Sequence, residues 1–581
     1  MNKKILVVLI FLVAVSGICY TYLFSDKKTS VSNESNVTEQ SFSASEQANS
    51  KESDVKVQEI KQQNIEKIEE EKEEFVNFIN MKKWQYNAKD HIYYQLGIIY
   101  TQTPTDLKYQ KMALFVPEKY LKCEDNGNKT YSCAHDMTGR IEKFDVRNAP
   151  IVFEINSPDF AATSALKEYK NYAKYTNSGL IYAHIGFRGI KAGAPHGVTD
   201  IKAAISYLHK NNQVLPGSSD SLFVLGANHG ATLAAIIGVS GNDKTYTPYL
   251  QEIGALKGVD DTVFGIMLIN PISGLDTTNE AIEWMLGGSR KNMSAIQKKL
   301  SEKMAKEYAN YINKAGIVSP RGQALTLQYS ESGIYQEGTY YDYIKSVIAS
   351  SLEKFLHDTT FPYSIPKSWE ISEDTAREQD NIVLAGTAQT EEKFIRKLNA
   401  KKVWIQNHSV RGLNILSLAD FNNIFKRKIP AIASIDGLNK EQKTNTLFGR
   451  GNGENLRFDL YTARVLKSLS SNKDFSADLY KQDKKGIITL KRANMYNPLY
   501  YLLPSYDGYN STTVAPYWYI RNGLFQNKDV LTTAVNLTLA LTNYKGVKPV
   551  DYQAIWGMGD IAGLSEQNRT EFINWIANMY R

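Results

Sequence analysis

The segment Ser221–Val239 most constrains the fold of this chain, because it reads as a short strand, a tight turn and a helix in immediate succession. Its letters are SLFVLGANHGATLAAIIGV, in which four apolar residues precede the turn and a largely apolar stretch follows it. A strand that is apolar on both faces fits the buried centre of a sheet covered by helices. The segment therefore predicts an α/β architecture with a mostly parallel sheet.

The turn in this segment has the glycine spacing of a nucleophile elbow, G-x-S-x-G, with Gly226 and Gly230 at its two ends. Glycines at both ends relieve the crowding of a sharp turn that lifts the central side chain above the sheet. The central residue here is Asn228, whose amide is not nucleophilic and cannot be activated by a base as a hydroxyl can. The chemistry of this position has either moved to other residues or been lost.

Strands and helices alternate on both sides of the turn, which predicts helices on both faces of the sheet. The alternation stops from about Gly288 to Met495, where helical stretches and polar loops predict a large helical cap inserted over the sheet. We therefore divide the chain into a first core part (81–288), a cap (289–495) and a second core part (496–581). The predicted strands are Ile92–Thr101, Lys111–Val116, Ala149–Ile155, Gly179–Ile185, Leu222–Leu225, Val263–Ile269, Ala515–Ile520 and Val550–Trp556. The predicted helices are Thr199–His209, His229–Val239, Ile296–Lys314, Tyr341–Phe355, Leu531–Leu541 and Glu566–Tyr580.

The N-terminus carries an uncharged apolar stretch from Ile5 to about Phe24, directly after Lys3 and Lys4. This pattern predicts an export signal in residues 1–24, and we favour an uncleaved membrane anchor over a cleaved signal peptide. We therefore expect the rest of the chain outside the cytoplasmic membrane, in the periplasm or at the cell surface. Residues 25–80 are predicted to form a polar, flexible stalk with a helical segment, which is a spacer or, alternatively, binds a partner.

Composition and cysteine spacing exclude several classes of function. The chain has 68 basic and 61 acidic side chains, and this small excess of positive charge predicts no nucleic-acid binding. We find no glycine-rich phosphate loop and no zinc-ligand spacing, so neither a cofactor nor a metal is predicted. Cys123 and Cys133 flank a turn-forming stretch and predict a structural disulfide in an oxidising compartment.

Several further segments, taken in their order and spacing, carry a resemblance to a known family. They are Gly193–Asp200, Ser240–Asp243, Tyr246–Leu250, Pro271–Ile272, Ala281–Met285, Thr446–Gly449, Tyr496–Tyr501 and Tyr517–Gly523. Together they resemble the bacterial tannase and feruloyl-esterase-like family, over roughly residues 84–581. The resemblance implies an α/β-hydrolase fold, a Ser-His-Asp triad that cleaves galloyl and related aromatic esters, and a large lid that selects substrates.

The resemblance places the triad at positions where this sequence has other residues. The nucleophile position is Asn228 and the base position is Asp560. The acid position falls on Gln526 or Lys528, with Asp529 one step beyond.

A count of histidines agrees with this substitution of the triad. The last of the eight histidines is His408, so none follows the predicted final strand, where this fold needs its base. The aspartate at the base position is a poor substitute, because its ordinary pKa is about 4 and a serine base needs a higher one.

Other residues near the elbow are candidates for ligand contact or for a relocated mechanism. The backbone N–H groups of His229 and of the loop near Asn156 would form an oxyanion hole able to bind a carbonyl or carboxylate. The His229 side chain is either a relocated catalytic group or a polar filler of the vacated space. Asp560 is either a repurposed acid paired with Lys528 or a solvated loop carboxylate.

Two arginines and several groups of tyrosines leave alternatives open. Arg188 and Arg457 either hold a carboxylate or phenolic ligand through bidentate hydrogen bonds or form structural ion pairs. The tyrosines are dense at 340–343, 500–501 and 517–519, where they either line an aromatic pocket or pack the core and cap.

Three functional hypotheses follow from these residues. In the first, the protein is a catalytically degenerate homologue that binds an aromatic ester or acid, or a protein partner, at the cell envelope. In the second, it is an active carboxylic-ester hydrolase that uses Asp560 and His229 in place of the triad. The third is a purely structural envelope protein, which a filled, dry pocket would favour.

Overall fold

A nine-stranded sheet, seen in a computed structural model of the chain, forms the centre of the fold. The structure describes residues 75, 77–330, 333–366, 369, 386–408, 412–425, 429–451, 453–470, 473–526 and 531–580. The predicted anchor (1–24) and most of the predicted stalk (25–80) lie outside these ranges, so both stay predictions. Within these ranges, no helix combines the length and hydrophobicity needed to cross a lipid bilayer.

The central sheet is mostly parallel, as predicted. Across the sheet its strands are β1 (Gln85–Asn87), β2 (Ile92–Ile99), β3 (Lys111–Pro117), β9 (Ile181–Ile185), β8 (Pro150–Ile155), β10 (Ser218–Ala227), β11 (Gly265–Ile269), β18 (Tyr517–Gly523) and β19 (Asp551–Ile555). The three pairs from β1 to β9 are antiparallel and the five pairs from β9 to β19 are parallel.

Shorter strands form two-stranded sheets away from the centre. These pairs are β4 (Leu121–Asp125) with β5 (Tyr131–His135), β6 (Arg140–Ile141) with β7 (Phe144–Asp145), β12 (Gln328–Ser330) with β13 (Gly333–Glu337), β14 (Tyr363–Ile365) with β15 (Gly386–Ala388), and β16 (Ile405–His408) with β17 (Gly412–Ile415). A disulfide between Cys123 and Cys133 joins β4 to β5, where the two residues face each other in the strand register.

The described part of the chain contains fifteen α-helices. They are α1 (Ala173–Thr176), α2 (His196–Lys210), α3 (His229–Val239), α4 (Thr247–Glu252), α5 (Thr278–Leu286), α6 (Ala295–Ala315), α7 (Thr339–Asp358), α8 (Glu391–Leu398), α9 (Leu418–Phe425), α10 (Lys443–Leu447), α11 (Leu460–Leu469), α12 (Thr489–Asn494), α13 (Pro498–Leu502), α14 (Leu531–Thr542) and α15 (Glu566–Met579).

The centre of the sheet is buried on both faces, which explains why its strands are continuous apolar runs rather than alternating ones. All five residues of β11 are buried, and in β10 the residues from Leu222 to Ala227 are buried. The helix α3 that follows β10 is buried along almost its whole length. A segment apolar on all sides therefore begins at β10 and continues through the elbow into α3, as its sequence predicts.

The predicted elements are present, with ends that differ by a few residues. The largest difference is the strand predicted at Leu222–Leu225, which extends over Ser218–Ala227. Its first residues are polar, but Ser218 pairs with Pro150 before the register shifts, so backbone pairing continues beyond the apolar pattern. Around the elbow the prediction of α3 at His229–Val239 is confirmed.

The packed part of the chain includes residues before position 81, where the predicted first core part begins. Residues 77–80, which belong to the predicted stalk with its helical segment, are not helical. Ile79 is only 4% exposed, and its backbone N–H donates to Asn211 Oδ1 at 2.7 Å. Burial of this one apolar side chain stabilises an irregular backbone that the helical spacing of the sequence did not indicate.

The segment 289–495, predicted as the cap, contributes no described strand to the central sheet. It contains helices α6 to α12, together with three two-stranded sheets that the prediction of a helical cap did not include. These strands have three to five residues each, too few for a period-two pattern to be recognised.

Candidate functional site

The elbow lies at the carboxyl end of the central strands, between β10 and α3. Asn228 has φ 52° and ψ −123°, a backbone conformation that is strained for a residue with a Cβ. Its N–H donates to the carbonyl of Ile269 at 2.9 Å, so the turn is tied to the end of β11. The turn therefore keeps the geometry of a nucleophile elbow with an amide at its centre.

The two glycines of the elbow are required by close backbone approach. A Cβ on Gly230 would lie 2.1 Å from the carbonyl oxygen of Ile155, at the end of β8. A Cβ on Gly226 would lie 2.6 Å from the carbonyl oxygen of Gly230 itself. Any larger residue at either position would push α3 away from the sheet.

His229 is held by its neighbours in the first turn of α3. Its Nδ1 accepts a hydrogen bond from the backbone N–H of Asp159 at 3.3 Å, and its ring packs edge-on against Phe160, with 4.8 Å between ring centroids. Asp159 and Phe160 both have positive φ, and the Asp159 carboxylate pairs with Lys443 of α10. The histidine ring is thus fixed beside the elbow, next to an ion pair.

The loop after β19 lies against the elbow. Asn228 Nδ2 donates to the carbonyl oxygen of Ile561 at 2.8 Å. A Cβ on Gly563 would lie 3.4 Å from Oδ1 of Asn156, the exposed residue after β8 that was predicted beside the oxyanion hole. This loop therefore brings the predicted nucleophile, base and oxyanion segments to one place.

Asp560, the predicted base position, immediately precedes Ile561 and is exposed. Its predicted partner Lys528 lies outside the described residues, as does Asp529. The pairing of Asp560 with Lys528 therefore stays a prediction.

Gln526, the first predicted acid position, is 2% exposed and directed into the core. Its Nε2 lies within hydrogen-bond distance of three oxygen atoms. They are Asn270 Oδ1 at 2.7 Å, Gly523 O at 3.0 Å and Asn522 Oδ1 at 3.2 Å. A carboxylate oxygen in the place of Nε2 would face these three acceptors, so this position favours the amide.

The two predicted arginines form buried ion pairs. Arg188 donates through Nε and Nη2 to both oxygens of Asp200, at 2.9 and 2.8 Å. Arg457 donates through Nη1 to Asp436 at 3.1 Å and through Nη2 to the carbonyl oxygen of Gly437 at 3.0 Å. Both arginines therefore form structural ion pairs, which is one of the two alternatives that the sequence left open. A ligand role for either arginine stays a prediction.

Aromatic side chains from the core and the cap meet beside Gln526. The ring of Phe525 stacks on Phe425 of α9 with 4.2 Å between centroids, and Trp556 lies 5.3 Å from Phe525. Trp369 packs edge-on against Phe525 at 5.1 Å. We call Trp369, Phe425, Phe525 and Trp556 the aromatic wall. Sequence reasoning missed it because it searched the tyrosines, and the only local signal was that Phe525 precedes the acid position.

The tyrosines that the sequence singled out are largely packing residues. Tyr340 is fully buried and donates to Asn536 Oδ1 at 2.7 Å. Tyr501 is 1% exposed and donates to Asp243 at 2.7 Å. Burial raises the pKa of both phenols far above the ordinary value, so both stay neutral donors.

A cleft of about 490 Å³ lies away from the elbow, and the tip of the disulfide-linked hairpin forms part of its wall. Several of its polar side chains are hydrogen-bonded within the wall of the cleft: Asn126 Nδ2 donates to the backbone carbonyl of Lys82 and to Thr130, while Ser132 donates to Asn126 Oδ1. The lining residues are Asn80, Lys82, Lys83, Gln85, Gln95, Leu96, Asn126, Asn128, Thr130 and Ser132. None of the elbow residues lines it, so we do not assign it to the candidate site.

Known proteins with a similar sequence or structure support the fold described above. Residues 147–314 match the BD-FAE family. The crystal structure of the tannase from Fusobacterium nucleatum is similar, with a TM-score of 0.62 and 22% identity over 84% of this chain and 95% of that one. The tannin acyl hydrolase of Lactobacillus plantarum has a TM-score of 0.62 and 18% identity over 84% of this chain and 94% of that one. No curated protein matches the chain.

The strand order, the elbow between β10 and α3 and these similarities define an α/β-hydrolase fold. Within this class, the solved structures reported above as similar to the chain are tannases, and the family that matches residues 147–314 is BD-FAE, in line with the resemblance that the sequence indicated.

Proposed function

We propose that this protein is a tannase-like α/β-hydrolase homologue that has lost ester hydrolysis and binds an aromatic acid or ester beneath its cap. The observation that carries the proposal is the hydrogen bond from Asn228 to Ile561. The side chain at the nucleophile position serves to hold a loop, so it has no part in attacking a carbonyl carbon.

The other two triad positions support the same proposal. Gln526 is buried with its Nε2 among oxygen acceptors, and its neutral amide lacks the negative charge by which a triad carboxylate stabilises an imidazolium. Asp560 is an exposed carboxylate, and a carboxylate is a weaker general base than the histidine that a serine triad uses.

Binding of a ligand is supported by what surrounds the elbow. The N–H of His229 lies in the first turn of α3, where the helix dipole favours a carbonyl or carboxylate oxygen. The four rings of the aromatic wall beside Gln526 are buried against one another, so a phenyl ring would bind there by inserting into this cluster. A tannin acyl hydrolase of similar structure has been solved in complex with ethyl gallate and with 3,4-dihydroxybenzoate, and we infer a related ligand for this chain.

An active hydrolase with relocated groups is the alternative. It requires His229 or Asp560 to activate a nucleophile, yet the His229 Nδ1 already accepts from the Asp159 backbone. Ser157, the nearest hydroxyl residue on the oxyanion loop, is 1% exposed and donates to the carbonyl of Ala161 at 2.7 Å. These contacts favour the binding protein over the relocated mechanism.

Hydrolysis and binding by the full-length protein test the proposal together. We expect no turnover of methyl gallate, methyl ferulate or p-nitrophenyl butyrate, and we expect calorimetric binding of 3,4-dihydroxybenzoate. Turnover that a fluorophosphonate fails to block would establish the relocated mechanism instead. Absence of both turnover and binding would contradict the proposed binding of an aromatic ligand and favour a partner-binding or structural role.

A pair of variants places the ligand. Phe525→Leu removes an aromatic surface from the wall, so we expect at least tenfold weaker binding. Phe264 directly precedes β11, at the opposite end of this strand from Ile269, so Phe264→Leu should bind as the native protein does. Equal effects of the two substitutions would show that the ligand lies elsewhere.

The envelope location belongs to the same proposal and rests on residues 1–24. We expect the full-length protein in the membrane fraction of the cell, and a chain that lacks these residues in the soluble fraction. A soluble full-length protein would contradict the anchor.

A further inference from the structure

A buried pair of carboxyl groups joins the core to the cap. Glu280 lies in the first turn of α5, which follows core strand β11, and Asp459 is the N-cap residue of α11 in the cap. Their exposed fractions are 1% and 0%. The hydroxyl of Thr462 lies between them, with its Oγ1 2.9 Å from Glu280 Oε1 and 2.7 Å from Asp459 Oδ2.

The Thr462 hydroxyl cannot satisfy two ionised carboxylates. It carries one proton, so it can donate to only one of them. Both contacts are hydrogen bonds only when the other carboxyl group is protonated and donates to the hydroxyl oxygen. Glu280 Oε2 is also buried without a hydrogen-bond partner in the described part of the chain, which costs less for a neutral acid than for an ion.

The surroundings of the pair favour retention of a proton. The titratable and charged groups around it are Asp276, Tyr311, Asp436, Arg457, Tyr461 and Arg464. The Arg457 guanidinium is engaged by Asp436, and so it does not neutralise the pair.

Burial and the nearby Asp459 charge raise the pKa of Glu280 well above its ordinary value. Burial and the charge of Asp436 raise the pKa of Asp459 to about 7. Because the two groups lie so close, they titrate as a pair rather than separately.

We propose that Glu280 and Asp459 form a proton-binding site that shares one proton at neutral pH and holds the cap helix α11 onto α5. Loss of this proton leaves two adjacent buried negative charges and breaks one hydrogen bond of Thr462, so α11 loosens. The proposal does not depend on the ligand or on the loss of hydrolysis.

The sign of the pH effect follows from the raised pKa values. Groups that bind protons more tightly in the folded state stabilise it at low pH, and this contribution is lost as the pH rises through the folded pKa. The pH range over which this stabilisation is lost therefore starts near the ordinary carboxyl pKa of about 4 and extends above 7. As the pH rises through this range, the folding equilibrium constant falls by up to tenfold per pH unit for each proton that the folded state retains and the unfolded state has lost.

The first test is denaturant unfolding of the full-length protein between pH 5 and pH 9. Glu280→Gln is a neutral isostere of the protonated acid, so we expect a pH slope smaller by one proton than in the native protein. Glu302→Gln, an exposed substitution on α6, should keep the native slope. An unchanged slope in Glu280→Gln would overturn the proposal.

The second test locates the effect in the cap. At pH 9 we expect faster amide hydrogen exchange of α11 in the native protein than in Glu280→Gln, with equal protection at pH 5 and in β10 at both pH values. Should Glu280→Gln fail to fold, Asp459→Asn serves in its place, because its side-chain oxygen can still accept from the N–H groups of Tyr461 and Thr462. Equal exchange of α11 in native and variant proteins at pH 9 would contradict the proposed link.

Discussion

Asn228 donates a 2.8 Å hydrogen bond from its side-chain amide to the backbone carbonyl of Ile561, and this bond ties the elbow to the loop after the last strand. In an α/β-hydrolase the residue at this position presents its side chain to the substrate. In this protein the same strained turn presents a group that stabilises the loop, and the strain is retained without a nucleophile.

Substitutions of Asn228 separate the hydrogen bond from the backbone strain. Asn228→Ala should destabilise the protein by about 1 kcal/mol, because the bond to Ile561 is lost. Asn228→Gly loses the same bond but relieves the positive φ, so we expect it to be more stable than Asn228→Ala by about 1 kcal/mol. Urea unfolding measures the difference, and equal stability of the two variants would contradict a strained turn.

Gly230→Ala should destabilise the protein by roughly 3 kcal/mol or more, because the new Cβ meets the carbonyl oxygen of Ile155 and neither backbone can move freely. Gly288→Ala is the matched control, since a Cβ there has no neighbour within 4 Å. Thermal unfolding of both variants tests this, and a Gly230→Ala protein as stable as the control would show that α3 can shift away from the sheet.

Gln526→Glu should create a pH-dependent defect. A protonated glutamic acid can donate to Asn270 as the amide does, but an ionised one faces oxygen acceptors, so its folded pKa will lie above the ordinary value of about 4.3. The variant should therefore be close to native stability near pH 5 and lose stability as the pH rises towards 8. Gln251→Glu, at an exposed position of α4, should show no such trend in unfolding experiments.

Arg188→Ala should cost roughly 3–5 kcal/mol of stability, because it leaves the fully buried Asp200 without its cationic partner. Lys354→Ala removes a comparable ion pair with Asp358 at a half-exposed position and should change stability by less than about 0.5 kcal/mol. A small effect of Arg188→Ala on unfolding, together with weaker ligand binding, would instead support a ligand role for Arg188.

Much of the fold and part of the candidate site could be predicted from local patterns. The apolar strand, the paired glycines and the apolar helix around Asn228 lie within twenty residues, so their spacing alone indicates an elbow. The disulfide between Cys123 and Cys133 was predictable for the same reason, since a short turn separates the two residues. The predicted cap boundaries rest on a loss of alternation, which likewise is a property of contiguous sequence.

The contacts that decide what the site can do join distant parts of the chain. The carbonyl of Ile561 bonds to Asn228, the side chain of Asn270 accepts from Gln526, and Thr462 bridges Glu280 to Asp459. None of these pairs has a sequence spacing that marks it, because backbone carbonyls and buried amides carry no motif. The aromatic wall also has no sequence spacing that marks it, as its four rings come from four separate segments.

The sequence by itself therefore determined the strand, elbow and helix, the identity of Asn228 at the centre of the elbow and the absence of a histidine after His408. These are statements about residue identity and short-range spacing, which backbone geometry turns directly into local structure. Only the tertiary structure decided that Asn228 holds a loop, that Gln526 fills a buried network of acceptors and that two acids meet between core and cap. Hydrogen bonding and burial depend on which atoms are brought within about 3 Å of each other, and in this protein that proximity is created by the packing of the whole chain.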